Sequence, residues 1–192
     1  MHSPFTQFHQ WLEAAKSHPE IIEPTAMTLA TVSADAKPSA RIVLLKEFSD
    51  DGFVFYTNSL SRKGVEIAKN PHVALIFYWM PLKRQIRIEG TTSFVSDEEA
   101  DAYFNSRDRG KQIGAWASAQ SQHLDNRATL LSRVEAIGQQ YEGKAIPRPP
   151  HWRGYLITPH MIEFWQEASF RLHERLIFTR TAHGWESHTL YP

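Results

Sequence analysis

The chain has no cysteine, which excludes disulfides, thiolate nucleophiles and thiolate metal sites and fits a reducing cytoplasm. It has no excess of either charge: 21 basic residues balance 21 acidic ones, so no global field recruits nucleic acid or an anionic membrane. Any anion must therefore be held by a local cluster. Long apolar runs are missing too. The longest, "VALIFYWM" (73–80), is far too short to span a bilayer, and "MHSPFTQFHQWLEAAKSH" lacks the apolar core of a signal peptide. The expectation is a cytoplasmic protein with no nucleic-acid or membrane partner. Glycine is scarce, and its nine residues form neither G-x-G-x-x-G nor a Walker loop. The ten histidines show no recognisable ligand spacing, so no metal is expected, and there is no G-x-S-x-G elbow. Side chains and loop amides must hold any phosphate.

What is present is a run of short β-type segments framed by helices. Ser3-Pro4 starts a helix over about 4–18, with Phe5, Phe8, Trp11 and Leu12 at helical spacing. "AMTLATVS", "SARIVLLK", "GFVFYTN", "VALIFYWM" and "RQIRIEGTTSFV" read as strands. "SADAKPS" and "EFSDDG" read as turns, so neighbouring strands are expected to pair antiparallel. "SRKGVEIAKN" interrupts as a helix capped by Ser61, and Ser96 with Glu99 forms a capping box before a helical insert over about 97–142. "QSQHLD" is a loop within that insert. After the stiff connector "AIPRPPHW" come strands "GYLITP", "MIEFWQ", "FRLHERLIFTR" and "WESHTLY". One domain over 1–192 is expected, mostly β (α+β), an antiparallel barrel with helices packed outside.

Basic residues gather on this scaffold. "FWQEASFRLHERLIF" (164–178) reads as a strand that puts Arg171, His173 and Arg175 on one face, either a solvated edge or a wall for an anionic ligand. In "RIVLLK", Arg41 and Lys46 face opposite sides, and for Lys46 alone a snorkelling terminal charge is the favoured reading. Arg62 and Lys63 sit at a helix start, where cations are unfavourable without an anion. "RQIRIEG" reads as a barrel strand with one wet face. "YFNSRDRGKQIGAWAS" clusters Arg107, Arg109 and Lys111 near Tyr103, partly as ordinary surface. If that stretch is helical, Arg107 and Lys111 lie together and repel unless an anion sits between them or Lys111 swings into solvent. Recurrence of this pattern on β-type scaffolding points to a phosphorylated, aromatic ligand.

Six segments in order, "RIVLLK", "FYTNSLSRKG", "RQIRIEG", "YFNSRDRGKQIGAWAS", "QS" (120–121) and "EFWQ…RLHER", resemble the pyridoxine/pyridoxamine 5′-phosphate oxidase family from about residue 5 onward. The resemblance implies an FMN-binding split β-barrel with peripheral helices, a homodimer with FMN at its interface. It implies cofactor contacts from Arg41, Ile42, Val43, Leu44, Leu45, Lys46, Tyr56, Thr57, Arg62, Lys63, Gln85, Gln120, Ser121, Trp165 and Arg175. Lys46, Tyr103 and Arg107 would hold the substrate phosphate, with Lys111 beside them. Arg171 and His173 would be the catalytic pair over the pyridine ring. The implied reaction is hydride transfer from pyridoxamine or pyridoxine 5′-phosphate to flavin, with molecular oxygen as acceptor, giving pyridoxal 5′-phosphate and peroxide.

The sequence departs from the family pattern in places. "RLHER" carries Glu174 for an aspartate, Lys111 stands for a serine that helps hold the phosphate, "TLYP" has Thr189 for an arginine, and "WRGYL" replaces W-G-G-Y-R. The basic N-terminal extension common in the family is not in the chain. Two alternatives stand beside the oxidase: a related split-barrel enzyme acting on another ring, and a non-catalytic FMN- or pyridoxal-phosphate-binding protein.

Overall fold

The computed structural model describes residues 3–192. Helix α1 (Pro4–Lys16) begins with the Ser3 hydroxyl accepting from the Phe5 amide, and Pro4 occupies the first turn, where its missing N–H costs nothing. Phe5, Phe8, Leu12 and Ala15 form its buried face. The described strands are β1 (Ala26–Val32), β2 (Pro38–Leu44), β3 (Glu47–Ser49), β4 (Gly52–Asn58), β5 (His72–Trp79), β6 (Arg84–Phe94), β7 (Trp152–Gln166), β8 (Glu174–Thr181) and β9 (Gly184–Thr189). Helix α2 (Arg62–Lys69) joins β4 to β5, while α3 (Asp97–Ser106), α4 (Arg109–Ala117) and α5 (Arg127–Gln140) lie between β6 and β7.

Every strand pairing is antiparallel, in the order β2-β1-β5-β6-β7-β4-β3, with β8 and then β9 added beside β7. β7 is the spine. Its first residues pair with β4 (Tyr56 opposite Gly154) and its last with β8 (Trp165 opposite Arg175), while β6 runs along its other side. The Lys46 N–H donates to the Val54 carbonyl at 2.9 Å, so the short link after β2 bends onto β4 and curls the sheet into a half-barrel. Inside it, the Phe8 ring meets Phe53 and Phe77 edge-on at 4.9 and 5.3 Å, so α1 closes the core. Burying a side chain of that size contributes about 1.5–3 kcal/mol.

The mostly antiparallel barrel is therefore as expected, but several elements differ. "EFSDDG" is not a plain turn, since β3 forms within it and makes a hairpin with β4. β2 and β4 are not paired neighbours; β4 pairs with β7, about a hundred residues away in sequence. "GYLITP" and "MIEFWQ" are one strand. Its register against β6 shifts between Glu89 and Gly90, a bulge that absorbs His160 beside Pro159. The run 164–178 is not one strand. Because Gln166 pairs with Glu174, the seven residues between them must reverse the chain, and Phe170 and Arg171 do so at φ 57° and 62°. Arg171, His173 and Arg175 thus do not share a strand face; only Arg175 is in a strand.

Candidate functional site

A cavity of about 1020 Å³ opens beside β2, spacious for a small-molecule ligand. Its walls include Arg41, Ile42, Val43, Leu44, Lys46, Tyr56, Thr57, Arg62, Lys63, Tyr103, Arg107, Lys111, Gln120 and Ser121, all expected from the sequence, together with Ser39, Ser106 and Asp108. β2 pairs only with β1 among the described strands, so it is an edge. Lys46 lies beyond the end of β2, in the link that bends onto β4, which is why it and Arg41 meet one space although a continuous strand would point them apart. Leu45 is the exception and lies in the hydrophobic core.

One end of the cavity is cationic. Ser61 caps α2, its side chain accepting from the Gly64 amide, and this places Arg62 and Lys63 in the first turn. Lys63 is 9% exposed, and its ammonium donates to Gln120 Oε1 at 2.9 Å and to the Thr57 and Ser61 hydroxyls at 3.2 Å. No carboxylate pairs with it among the described residues. Burial pushes its pKa down, and the charge of Arg41 adds to that. Arg41 and Arg62, by contrast, both contact Glu66, at 3.2 and 2.9 Å. Glu66 is buried. Burial opposes its ionisation, but hydrogen bonds from Ser39, Thr31 and Arg62 outweigh that and hold its pKa at about 2. Sequence reading missed Glu66, because a glutamate four residues after an arginine looks like a surface helix pair.

The other end is aromatic. The Tyr56, Tyr103 and Trp152 rings lie nearly parallel in one cluster, with centroids 4.2 Å (Tyr56–Tyr103), 5.0 Å (Tyr56–Trp152) and 6.0 Å (Tyr103–Trp152) apart, and the Arg107 guanidinium lies 4.9 Å over the Trp152 ring. Gly154 lets this stack approach β7, since a Cβ there would fall 2.6 Å from Tyr56 Cε1. The buried Tyr56 Oη and Arg107 Nη1 have no hydrogen-bond partner among the described residues. Burial raises the Tyr56 and Tyr103 pKa values and lowers that of Arg107. Arg107 ends α3 in extended conformation, and Asp108 then starts α4. The two residues expected on one helix are therefore on either side of a break. Lys111 pairs with Asp108 at 2.7 Å, which already supplies an anion.

The remaining expected residues gather elsewhere. Gln85, Trp165 and Arg175 are successive partners across β6, β7 and β8, and the His173 ring lies 4.7 Å from that of Trp165. His173 Nδ1 accepts from the Ala168 amide, which leaves Nε2 to carry the proton of the neutral ring. Arg175 donates to the buried Glu163 at 2.7 Å, and that bond raises its pKa. Arg171 is exposed in the turn before β8. Eleven positions along β7 separate Gly154, behind Tyr56, from Trp165, or about 36 Å of strand contour. The cavity lining includes none of this second set. Of the departures, Arg153 joins Arg148 on Asp97 and ties α3 to β7, while Glu174 and Thr189 sit at the ends of β8 and β9.

A family model described as pyridoxamine 5′-phosphate oxidase matches residues 14–141, and one described as the pyridoxine 5′-phosphate oxidase C-terminal dimerisation region matches residues 152–192. The pyridoxine/pyridoxamine 5′-phosphate oxidase of Acaryochloris marina is 54% identical over 190 residues, covering 99% of this chain and 86% of its own. That of Caulobacter vibrioides is 53% identical, covering 98% and 85%. Among solved structures, PhzG from Burkholderia lata, in complex with tetrahydrophenazine-1-carboxylic acid, superposes with a TM-score of 0.93 at 33% identity, covering 99% and 93%. A pyridoxamine 5′-phosphate oxidase-related, FMN-binding protein from Nostoc punctiforme shares the fold, with a TM-score of 0.78 at 15% identity and full coverage of both chains.

Proposed function

The chain belongs to the pyridoxamine 5′-phosphate oxidase family, and we propose that it is an FMN-dependent oxidase forming pyridoxal 5′-phosphate from pyridoxamine or pyridoxine 5′-phosphate. The observation that carries this reading is the buried Lys63, with no carboxylate partner among the described residues, in a cavity also lined by Lys46 and Arg107. Anionic groups on aromatic ligands would relieve these cations. Arg41, Arg62 and Lys63 would hold the flavin phosphate, with Tyr56, Thr57, Gln120, Ser121 and the edge of β2 around the rest. Lys46, Tyr103, Arg107 and Lys111 would hold the substrate phosphate.

Bound FMN would supply the hydride acceptor for the substrate C4′, with molecular oxygen as final acceptor giving peroxide. The protein's contribution is orientation and charge. Arg171 and His173 would position the pyridine ring, and no side chain is assigned as an obligatory base. Because the lining of this cavity includes none of Gln85, Trp165, Arg171, His173 and Arg175, that set would close over the cavity of a second copy. The match of 152–192 to a dimerisation region supports this, as do Phe170 and Leu172, 93% and 66% exposed beside Arg171.

A second reading keeps the site and changes the ring. The solved relative bound to tetrahydrophenazine-1-carboxylic acid carries a carboxylate that Arg107 and Lys111 would also suit. One assay separates the two: flavin released from purified protein is identified, then peroxide is measured with each candidate substrate. A yellow homodimer releasing FMN and forming pyridoxal 5′-phosphate is expected. A colourless monomer indifferent to added FMN would end the reading.

A further inference from the structure

Glu66 lies on the side of α2 that faces the sheet, and its carboxylate sits at the centre of a directed hydrogen-bond network. Oε2 accepts from the Thr31 hydroxyl at 2.5 Å, the Ser39 hydroxyl at 2.6 Å and Arg41 Nη2 at 3.2 Å, while Oε1 accepts from Arg62 Nε at 2.9 Å. The same two hydroxyls accept from Arg41, Thr31 from Nη1 and Ser39 from Nη2, both at 2.6 Å. Each hydroxyl therefore gives its proton to Glu66 and its lone pair to Arg41. That arrangement leaves no freedom in Arg41. The Arg62 side chain is 65% exposed, and its Glu66 contact is the ion pair that fixes its direction.

We propose that Glu66 is the positioning residue of the phosphate end of the cavity, holding Arg41 and Arg62 aimed before a phosphate monoester arrives. The proposal rests on the FMN reading above. Glu66 also sets the charge: three cations, Arg41, Arg62 and Lys63, less one carboxylate, leave two positive charges to match a monoester dianion. Without it, two guanidiniums and an ammonium would repel one another in the empty cavity.

Simple Coulomb reasoning and positioning disagree on the sign of one substitution. Removing a negative charge should tighten phosphate binding if Glu66 matters only as charge. Glu66→Gln, however, has one acceptor oxygen instead of two. That oxygen must stay on Thr31, Ser39 and Arg41, which turns the amide NH2 toward Arg62 Nε–H, donor against donor. Arg62 is released.

Apoprotein titrated with FMN, followed by quenching of flavin fluorescence, tests this, with riboflavin as the phosphate-free control. Glu66→Gln should weaken FMN about tenfold, the scale of one lost charge-assisted hydrogen bond, and leave riboflavin unchanged. Arg62→Ala should do the same, and the double variant should be no worse than either alone. Equal or tighter FMN binding by Glu66→Gln, or losses that multiply in the double variant, would overturn the proposal. Should Glu66→Gln not fold, Ser39→Ala decides: it loosens both Glu66 and Arg41, and FMN affinity equal to wild type would refute the idea. Wild-type apoprotein that ignores FMN would instead refute the function proposed above.

Discussion

Lys63→Met separates function from stability most directly. The ammonium is nearly buried, its acceptors are three neutral oxygens, and no carboxylate pairs with it among the described residues. A buried cation without a counter-ion is costly, and replacement by an apolar group of similar length is neutral or stabilising. The acceptors survive the change, since Thr57 still donates to Gln120 and Ser61 still donates to the Asn58 carbonyl. The apoprotein melting temperature should therefore hold or rise by about 2–4 °C, equivalent to about 1 kcal/mol for a chain of this size. FMN affinity should fall about 10- to 150-fold, because a charge-assisted hydrogen bond worth about 1.5–3 kcal/mol is lost. With FMN at 100 times the wild-type Kd, binding stabilises wild type by about 2.7 kcal/mol, a shift of about 5–10 °C. A variant binding a hundredfold more weakly gains only about 0.4 kcal/mol, or about 1 °C. Thermal melts with and without FMN should cross: the variant is at least as stable when empty and less stable when loaded. A variant that melts several degrees lower when empty and keeps the full FMN shift would make Lys63 structural and refute the reasoning.

Asp108 competes with any ligand anion for Lys111, so Asp108→Asn should lower KM for the phosphorylated substrate, and this gain should vanish in a Lys111→Ala background; equal effects in both backgrounds would leave Lys111 a surface lysine. Gly154→Ala would place a Cβ 2.4 Å from Val95 Cγ2 and 2.6 Å from Tyr56 Cε1, so it should cost about 1–3 kcal/mol and disturb the near-ultraviolet circular dichroism of the stacked rings. Wild-type melting and an unchanged spectrum would contradict that packing. The Glu66 pKa is depressed from 4.5 to about 2, so its contribution to stability is complete above 4.5 and is lost as pH falls toward 2. Urea midpoints of Glu66→Gln should thus decline less steeply than wild type across that window, and parallel curves would show that Glu66 carries no such linkage.

Local chemistry was legible where one segment determines it. Ser3-Pro4, Ser61 and Ser96 each cap a helix, and "GFVFYTN" is β4. The partners of β4 were not legible, because its pairing with β7 spans about a hundred residues and leaves no mark in either segment. The turn between β7 and β8 was hidden for another reason. "EASFRLH" has no glycine, proline or asparagine, and its alternation continues that of the flanking strands, so the left-handed Phe170 and Arg171 carry no warning. In the cavity, Arg62 and Lys63 could be found because cations at a helix start conflict with its dipole, and Arg41 only through the family resemblance of its segment. Glu66 conflicts with nothing locally. Only the packing of α2 against the sheet turns it from a surface partner into a buried one.

The conflicts of charge have one location. Elsewhere, left-handed turns aside, caps, alternation and core agree, as they must for a sequence to specify one structure. Around the cavity the rules of charge fail together: cations crowd the α2 N-terminus, Lys63 has no carboxylate partner among the described residues, and Lys46 and Arg107 line the same space. A local rule broken once is tolerable strain. Rules of charge broken repeatedly around one space need a common cause. An anionic aromatic ligand supplies one. Phosphate oxygens would answer the cations, and the ring would face the edge of β2, where Ile42 is exposed. The same reasoning explains the neutral balance of the whole chain. With no global field, selectivity for such a ligand must come from the local arrangement that Glu66 holds.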